Sequence, residues 1–476
     1  MISFFSSIVL LFLGYFLYAR FIEKVFGVDK ERLTPAITKT DGVDFVPLSW
    51  SKIFLIQFLN IAGLGPIFGA VAGAMWGPVA FFWIVLGNIL GGAVHDFFSG
   101  MISVRRGGES IPEIIGAYLG VTVKQLMRAF VVIMMIMVGA VFVVGPAKIL
   151  DGMTIGTMGL TFWATIIFIY YILATLLPID KIIGRIYPLF GLALLFMAVA
   201  ISFMMIYKGL PIPEVSLTNM HSQPEQYPIY PLLFVSIACG AISGFHSTQS
   251  PLMARCITNE KYGRRVFYGA MVAEGLVALI WAAVGMSFWG GVKELNTIMI
   301  AQQGNAAWAV NEISLGLLGK VGAILAILGV VAAPITSGDT AFRSARLIVA
   351  DFLKLDQKPI KNRLIISFFL FLGGFLLTLV KFDIIWRYMA WSNQTLATLV
   401  LWAITVYLVR NGKIYWITLI PAIFMTAVVS TYIFIAPEGF QLSQQWSYIL
   451  GLIITLFFTF LFFYKLKFLK LHTEKL

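Results

Sequence analysis

Apolar runs of about 18 residues or more recur from one end of this chain to the other, and a run of that length is enough to cross a bilayer as a helix. No soluble fold hides so many. Of 476 residues, 60% are hydrophobic and 12% charged, with mean hydropathy +0.92; soluble domains carry about 25% charged residues. The fold class is therefore an all-α polytopic membrane protein. Thirteen candidate spans can be drawn, at 2–22, 53–76, 78–104, 129–149, 161–177, 184–207, 229–256, 266–290, 319–352, 362–380, 383–409, 413–435 and 446–468.

Basic residues orient these spans. With the N-terminus outside, 28 of the 34 Lys and Arg fall on the inner side. Only Lys148, Lys208, Lys293, Lys320, Lys381 and Arg387 fall outside. That asymmetry obeys the positive-inside rule and places the C-terminus in the cytoplasm. The net charge of +12 is then a topology signal that also meets anionic lipid, and no nucleic-acid partner is expected. "MISFFSSIVLLFLGYFLYARF" lacks a basic start and a small-residue cleavage site, so it reads as a retained first span. The tail "YKLKFLKLHTEKL" reads as a snorkelling membrane end. The outer stretch 291–318 reads as short interfacial or re-entrant helices.

Setting aside the first span and the last two leaves ten, which divide into 53–207 and 229–409 with five each. An odd number per half inserts the second half upside down relative to the first, an inverted repeat of the kind secondary transporters use. The chain then divides into an N-terminal helix and inner loop (1–52), the first repeat (53–207), an exterior loop (208–228), the second repeat (229–409), and two C-terminal helices with the basic tail (410–476).

Each half opens on an interrupted helix. The first contains "NIAGLGPIFGAVAG", residues 60–73, and the second "ACGAISGFHSTQSP", residues 238–251. Breaking a helix frees carbonyls and amides that hydrocarbon cannot satisfy, so a break must face a cavity, an ion or a substrate. Freed carbonyls suit cations, and the N-terminal end of the resumed helix suits an anionic group. Gly65, Pro66, Gly69, Gly240, Gly244, His246 and Ser247 are the expected substrate contacts here. The competing reading is close helix packing, since Gly65, Gly69 and Gly73 lie on one helix face; both hold if Pro66 breaks the ladder and the glycines pack.

Ionisable groups at membrane depth are functional candidates. Thr336, Asp339 and Thr340 share a helix face, with Ser337 adjacent and Pro334 bending the span. Oxygen ligands of this kind suit a hard monovalent cation, or Asp339 carries a proton; alternatively Asp339 pairs with Arg343 or Arg346 on its own helix. His95, Asp96 and Glu274 are proton-relay candidates, each with a structural alternative as a satisfied buried group. Asn393 and Gln394, beside Ser392, either line the cavity or join helices. His221 and His472 lie in a loop and the tail.

Other chemistries find no support. Cys239 and Cys256 are the only cysteines, and neither a disulfide nor a cysteine-ligated metal is expected. No metal-ligand cluster, haem ligand pair, phosphate-binding Gly-rich loop or nucleophile elbow is present, so no enzyme, cofactor or ATPase subunit is indicated. A channel would favour subunits repeated about an axial pore, whereas two broken helices in an inverted repeat favour alternating access.

The stretches "GPIFGAVAGAMWGP", "GGAVHDFFSGMISVRRGGESIPEIIG", "ACGAISGFH", "SGDTAFRSARLIVADFL" and "AWSNQTLATLVLWAITVYLVRNGKIYWITLIPA" resemble the carbon starvation protein A family, in order, over about residues 50–435. The resemblance implies a branch of the amino acid–polyamine–cation transporters with a leucine-transporter-like 5+5 inverted repeat. It also implies ion-driven uptake of peptides in carbon starvation, with pyruvate, another small carboxylate or an amino acid as the alternative substrate. Carried across, that fold would set the carbonyls near Ala62, Gly63 and Gly65 opposite Thr336, Ser337 and Asp339 at a Na⁺ or H⁺ coupling site. The chain departs from longer members in a shorter stretch at 291–318. It also has His95 where an uncharged polar residue is expected before the Asp.

Overall fold

The computed structural model describes residues 1–154, 158–176, 185, 187–357 and 359–471. The basic stretch around Lys181, expected on the inner side, and the end of the tail with His472 fall outside the described residues. Within them the chain is helical, with a single isolated bridge between Leu48 and Ile257. Nine helices among the described residues are long and apolar enough to cross a membrane, and a tenth span is made by the bent pair Trp50–Ile61 and Gly65–Trp76. The expected spans that do not pass as single helices are the short Leu160–Leu176 and the two that are broken or bent near 229–256 and 319–352. Near 319–352 the helix begins earlier, at Ala306, departs from helical geometry at Gly319, and runs through a wide turn at Ala326–Val331 into Ala332–Leu353. The stretch 291–318 holds a helix over Val292–Ala301.

Burial sorts the helices by depth in the bundle. The apolar stretch of Gln444–Leu466 is only 17% buried, so it presents Phe457, Phe460 and Leu456 outward as a lipid-facing surface. That of Ile384–Arg410 is 89% buried, and those of Val79–Arg105 and Glu260–Phe288 are both 83% buried. The three inner helices pack around the two interrupted segments. Polar side chains are thereby held where water is excluded and where each needs a protein partner.

The loop after the first helix straps one end of this core. Asp29 N–H donates to Glu260 at 2.9 Å, and Arg105 forks onto the same buried carboxylate with two 3.0 Å bonds. Further along, Leu48 N–H donates to the Cys256 carbonyl, and Asp44 reaches Arg343 at 3.5 Å and Arg346 at 3.9 Å. Burial alone would raise the Asp44 pKa, but Arg346, Arg343, Arg255 and Arg363 around it hold it below the usual carboxylate range.

Candidate functional site

Pro66 has no N–H and its ring collides with the carbonyl four residues back, so the first helix cannot pass it unbroken. The chain leaves helical geometry at Ala62 (φ −80°, ψ 48°) and resumes at Gly65 on an axis bent by 55°. The second break runs from Ile237 to Ser243 and passes through Gly240 at φ +92°, a conformation that favours glycine. The two breaks touch. A Cβ on Gly65 would strike Cys239, one on Gly73 would strike Ile237, and one on Gly69 would lie 2.7 Å from the Ser236 carbonyl oxygen. The glycine row is a packing face pressed on the second break, while the interruption sits at its head.

Backbone groups freed by the second break are met by side chains from distant helices. Asn88 Nδ2 donates to the Gly240 carbonyl at 2.9 Å and to that of Met271 at 2.8 Å. Trp83 Nε1 donates to the Ile237 carbonyl, and Gln394 Nε2 to that of Phe234. Asn393 Oδ1 accepts from Phe245 N–H at 2.6 Å and from Ser243 Oγ at 3.1 Å, capping the resumed helix Gly244–Ala254. The Gly244 position abuts the Asn393 backbone, and Ser247 Oγ donates to the Gly244 carbonyl.

Four ionisable residues converge beside this cap, all fully buried. His95 Nδ1 lies 2.8 Å from Asp96 Oδ1, Asp96 Oδ2 lies 3.0 Å from His246 Nδ1, and His246 Nε2 lies 3.3 Å from Glu274 Oε2. Val79–Arg105 carries the first two, Gly244–Ala254 the third and Glu260–Phe288 the last. Imidazole can donate from one nitrogen and accept at the other, so alternating imidazole and carboxylate groups form a route along which a proton can move. Apart from the 3.3 Å approach of His246 Nε2 to Glu274 Oε2, both Glu274 oxygens, His95 Nε2 and His246 Nε2 have no hydrogen-bond partner among the described residues. The sequence holds no local metal-ligand cluster; in the folded chain Cys239, His246 and Glu274 bring their ligand atoms within 4.8 Å of one another. Cys239 and Cys256 are both free thiols.

Asp339 lies elsewhere, with Tyr187 OH donating to it at 2.7 Å and Tyr170 OH 3.0 Å from that hydroxyl. The neighbouring hydroxyls turn to backbone carbonyls: Thr336 to Ala333, Thr340 to Ser337 and Thr336, and Ser337 to Ala333 and to Leu59. Ser337 therefore reaches the last turn before the first break, and its Oγ would stand 3.3 Å from a Cβ on Gly63. Arg343 and Arg346, the sequence alternatives for pairing with Asp339, are directed to Asp44, with Arg346 also donating to Gln357 at 2.6 Å.

Sequence reasoning did not single out Tyr187, Asp44, Gln57 or Asn60. A buried tyrosine needs a partner for its hydroxyl, which was a usable signal for Tyr187. Gln57 and Asn60 share a face one turn before the first break; they are fully buried, and their side-chain amides have no partner among the described residues. Two amides three residues apart inside an apolar span were the available signal. On another side, a cavity of about 180 Å³ opens among Phe68, Lys148, Gln302, Asn305 and Trp386, away from the His–Asp–Glu chain.

Many apolar helices, with two broken segments pressed together among them, define a multi-pass membrane protein. Residues 1–162, 148–311 and 320–432 match the family described as carbon starvation protein CstA, and the chain belongs to that family. It is 43% identical over 356 residues to an uncharacterized membrane protein of Haemophilus influenzae, covering 63% of this chain and 95% of that one. It is 27% identical to the peptide transporter CstA of Campylobacter jejuni, over 88% of this chain and 78% of the relative. Against the pyruvate/proton symporter BtsT of Escherichia coli it is 28% identical over 58% of this chain and 48% of that relative. A solved variant of the manganese transporter of Eremococcus coleocola superposes with TM-score 0.53 at 13% identity, over 91% of this chain and 99% of that one. At that identity the likeness is one of fold.

Proposed function

We propose that this protein is a secondary importer of peptides, driven by a proton gradient and working by alternating access. The observation that carries the reading is the buried His95–Asp96–His246–Glu274 chain, which joins three helices at the second break. Proton loading and release there change the charge at a break whose two sides must move relative to one another. The repeats 53–207 and 229–409 act as the two inverted five-helix units, with one extra helix before and two after. The N-terminus is outside and the C-terminus cytoplasmic, in a bacterial inner membrane. Gln57 and Asn60, whose buried amides lack partners among the described residues, supply polar contacts to the substrate near Gly65 and Pro66, and Gly240, Gly244, His246, Ser247, Asn393 and Gln394 frame it from the other half. No cofactor or ATPase subunit takes part.

Two alternatives have specific support. Sodium would couple at Ala62, Gly63, Gly65, Thr336, Ser337, Asp339 and Thr340, because Ser337 reaches the first break. Pyruvate or another small carboxylate would dock on the N-terminal end of Gly244–Ala254, displacing Asn393 Oδ1 from Phe245 N–H. The test is uptake of labelled dipeptide and labelled pyruvate into proteoliposomes under a proton gradient, a sodium gradient or neither. Dipeptide accumulation under the proton gradient alone is expected. Accumulation under sodium alone would move coupling to the Thr336–Thr340 face, and pyruvate alone would replace the substrate.

A further inference from the structure

Three ligand-type side chains point into one small volume at the second break. Cys239 comes from the unwound segment, His246 from the first turn of the resumed helix and Glu274 from the helix behind, with ligand atoms within 4.8 Å of one another. His246 and Glu274 are fully buried. Apart from their own 3.3 Å approach, the Glu274 oxygens and His246 Nε2 have no hydrogen-bond partner among the described residues. Among the described residues the thiol makes long contacts, 3.6 Å to Ser243 Oγ and 3.9 Å to Asn393 Nδ2, and lies beside the His246 imidazole.

The imidazole is held as metal-binding imidazoles are held. Asp96 Oδ2 lies 3.0 Å from Nδ1 and can accept that nitrogen's proton, so Nε2, which faces Glu274, is the nitrogen a metal would take. A carboxylate behind the imidazole is the usual outer-shell partner of a ligating histidine. Asp96 and Glu274 bring two carboxyl groups to one imidazole in a fully buried site, where their charge is balanced by a proton on the ring or by a bound cation.

We infer that Cys239, His246 and Glu274 form a binding site for a thiophilic divalent cation of the zinc type. Thiolate, imidazole and carboxylate form a normal three-ligand set for zinc, with bonds of about 2.0–2.3 Å. Around a tetrahedral ion those lengths set ligand atoms about 3.3–3.8 Å apart, so a contraction of about 1 Å closes the site. The sulfur ligand disfavours sodium, magnesium and calcium, which prefer oxygen. The fourth position stays open. Binding converts the Cys239 thiol to thiolate and releases its proton.

Binding is read on the purified full-length protein in detergent, without transport, so the inference stands or falls apart from the proposed cargo and coupling ion. Cobalt(II) titration is expected to give a thiolate-to-cobalt charge-transfer band saturating at one equivalent. Cys239→Ser abolishes the band, and Cys256→Ser retains it. Competition with a chromophoric chelator is expected to show zinc bound at least tenfold more weakly in Cys239→Ser and in Glu274→Gln. X-ray absorption of the zinc-loaded wild type, which needs no variant to fold, is expected to show one sulfur among nitrogen and oxygen ligands. Absence of the band in the wild type, its loss in Cys256→Ser but not Cys239→Ser, or a sulfur-free zinc shell would each overturn the assignment.

Discussion

Asp96 touches two imidazoles at once, and that position decides what its neighbours can do. One carboxylate oxygen faces His95 and the other His246, so the protonation of either ring is felt by the other. Asp96→Asn keeps the shape and removes the charge. Proton-driven uptake is expected to fall at least tenfold, while counterflow exchange without a gradient persists; equal loss of both activities would assign Asp96 to structure alone. Tyr187→Phe tests Asp339, another buried carboxylate, by deleting one hydroxyl. Leaving Asp339 without that donor is expected to cost about 1–3 kcal/mol, measured as a lower Tm in detergent. Each member of the His–Asp–Glu chain is legible in the sequence as an ionisable group at membrane depth. Their association is not, because His246 stands 150 residues from Asp96. No periodicity encodes a contact between helices so far apart.

At the scale of an element, the breaks themselves were readable, since glycine and proline free backbone groups that an apolar run can hold only against a partner. Which partner was not readable. Gly65, Gly69 and Gly73 look the same whether they line a cavity or receive a neighbour, and only the fold shows the second break lying on them. Gly69 is the decisive position, because a Cβ there meets backbone that cannot rotate away. Gly69→Ala is expected to destabilise by about 1–3 kcal/mol through overpacking. Gly152→Ala, where a Cβ meets open space, is expected to leave the thermal midpoint unchanged or slightly raised. Similar shifts for both would mean that the row does not pack as described. Asn393→Ala removes the acceptor for Phe245 N–H and Ser243 Oγ, with an expected cost of about 0.5–2 kcal/mol. Faster amide exchange at the start of Gly244–Ala254 is the local readout.

For the whole molecule, the apolar runs and the basic asymmetry made the class plain, but the strap over residues 27–49 left no periodic trace. It is held by single contacts to far parts of the chain, and Asp44 among the arginines is the chief of them. A carboxylate whose folded pKa is lowered stabilises above its unfolded value, near about 4, and that stabilisation is lost as pH falls through the lower folded value. Thermal stability is therefore expected to decline below about pH 4 in the wild type and to decline less in Asp44→Asn, which has lost that contribution already. At neutral pH the same substitution loosens the strap over fully buried Cys256. Its alkylation, followed in a Cys239→Ser background, is expected to accelerate severalfold; an unchanged rate would show that the strap does not cover it.

The side-chain oxygen of Asn393 already occupies the amide that a broken helix would otherwise present to an incoming anion. Any carboxylate arriving there takes Phe245 N–H from a resident competitor on the protein's own chain. Its affinity would then be a difference between two hydrogen bonds, the one it makes and the one Asn393 gives up.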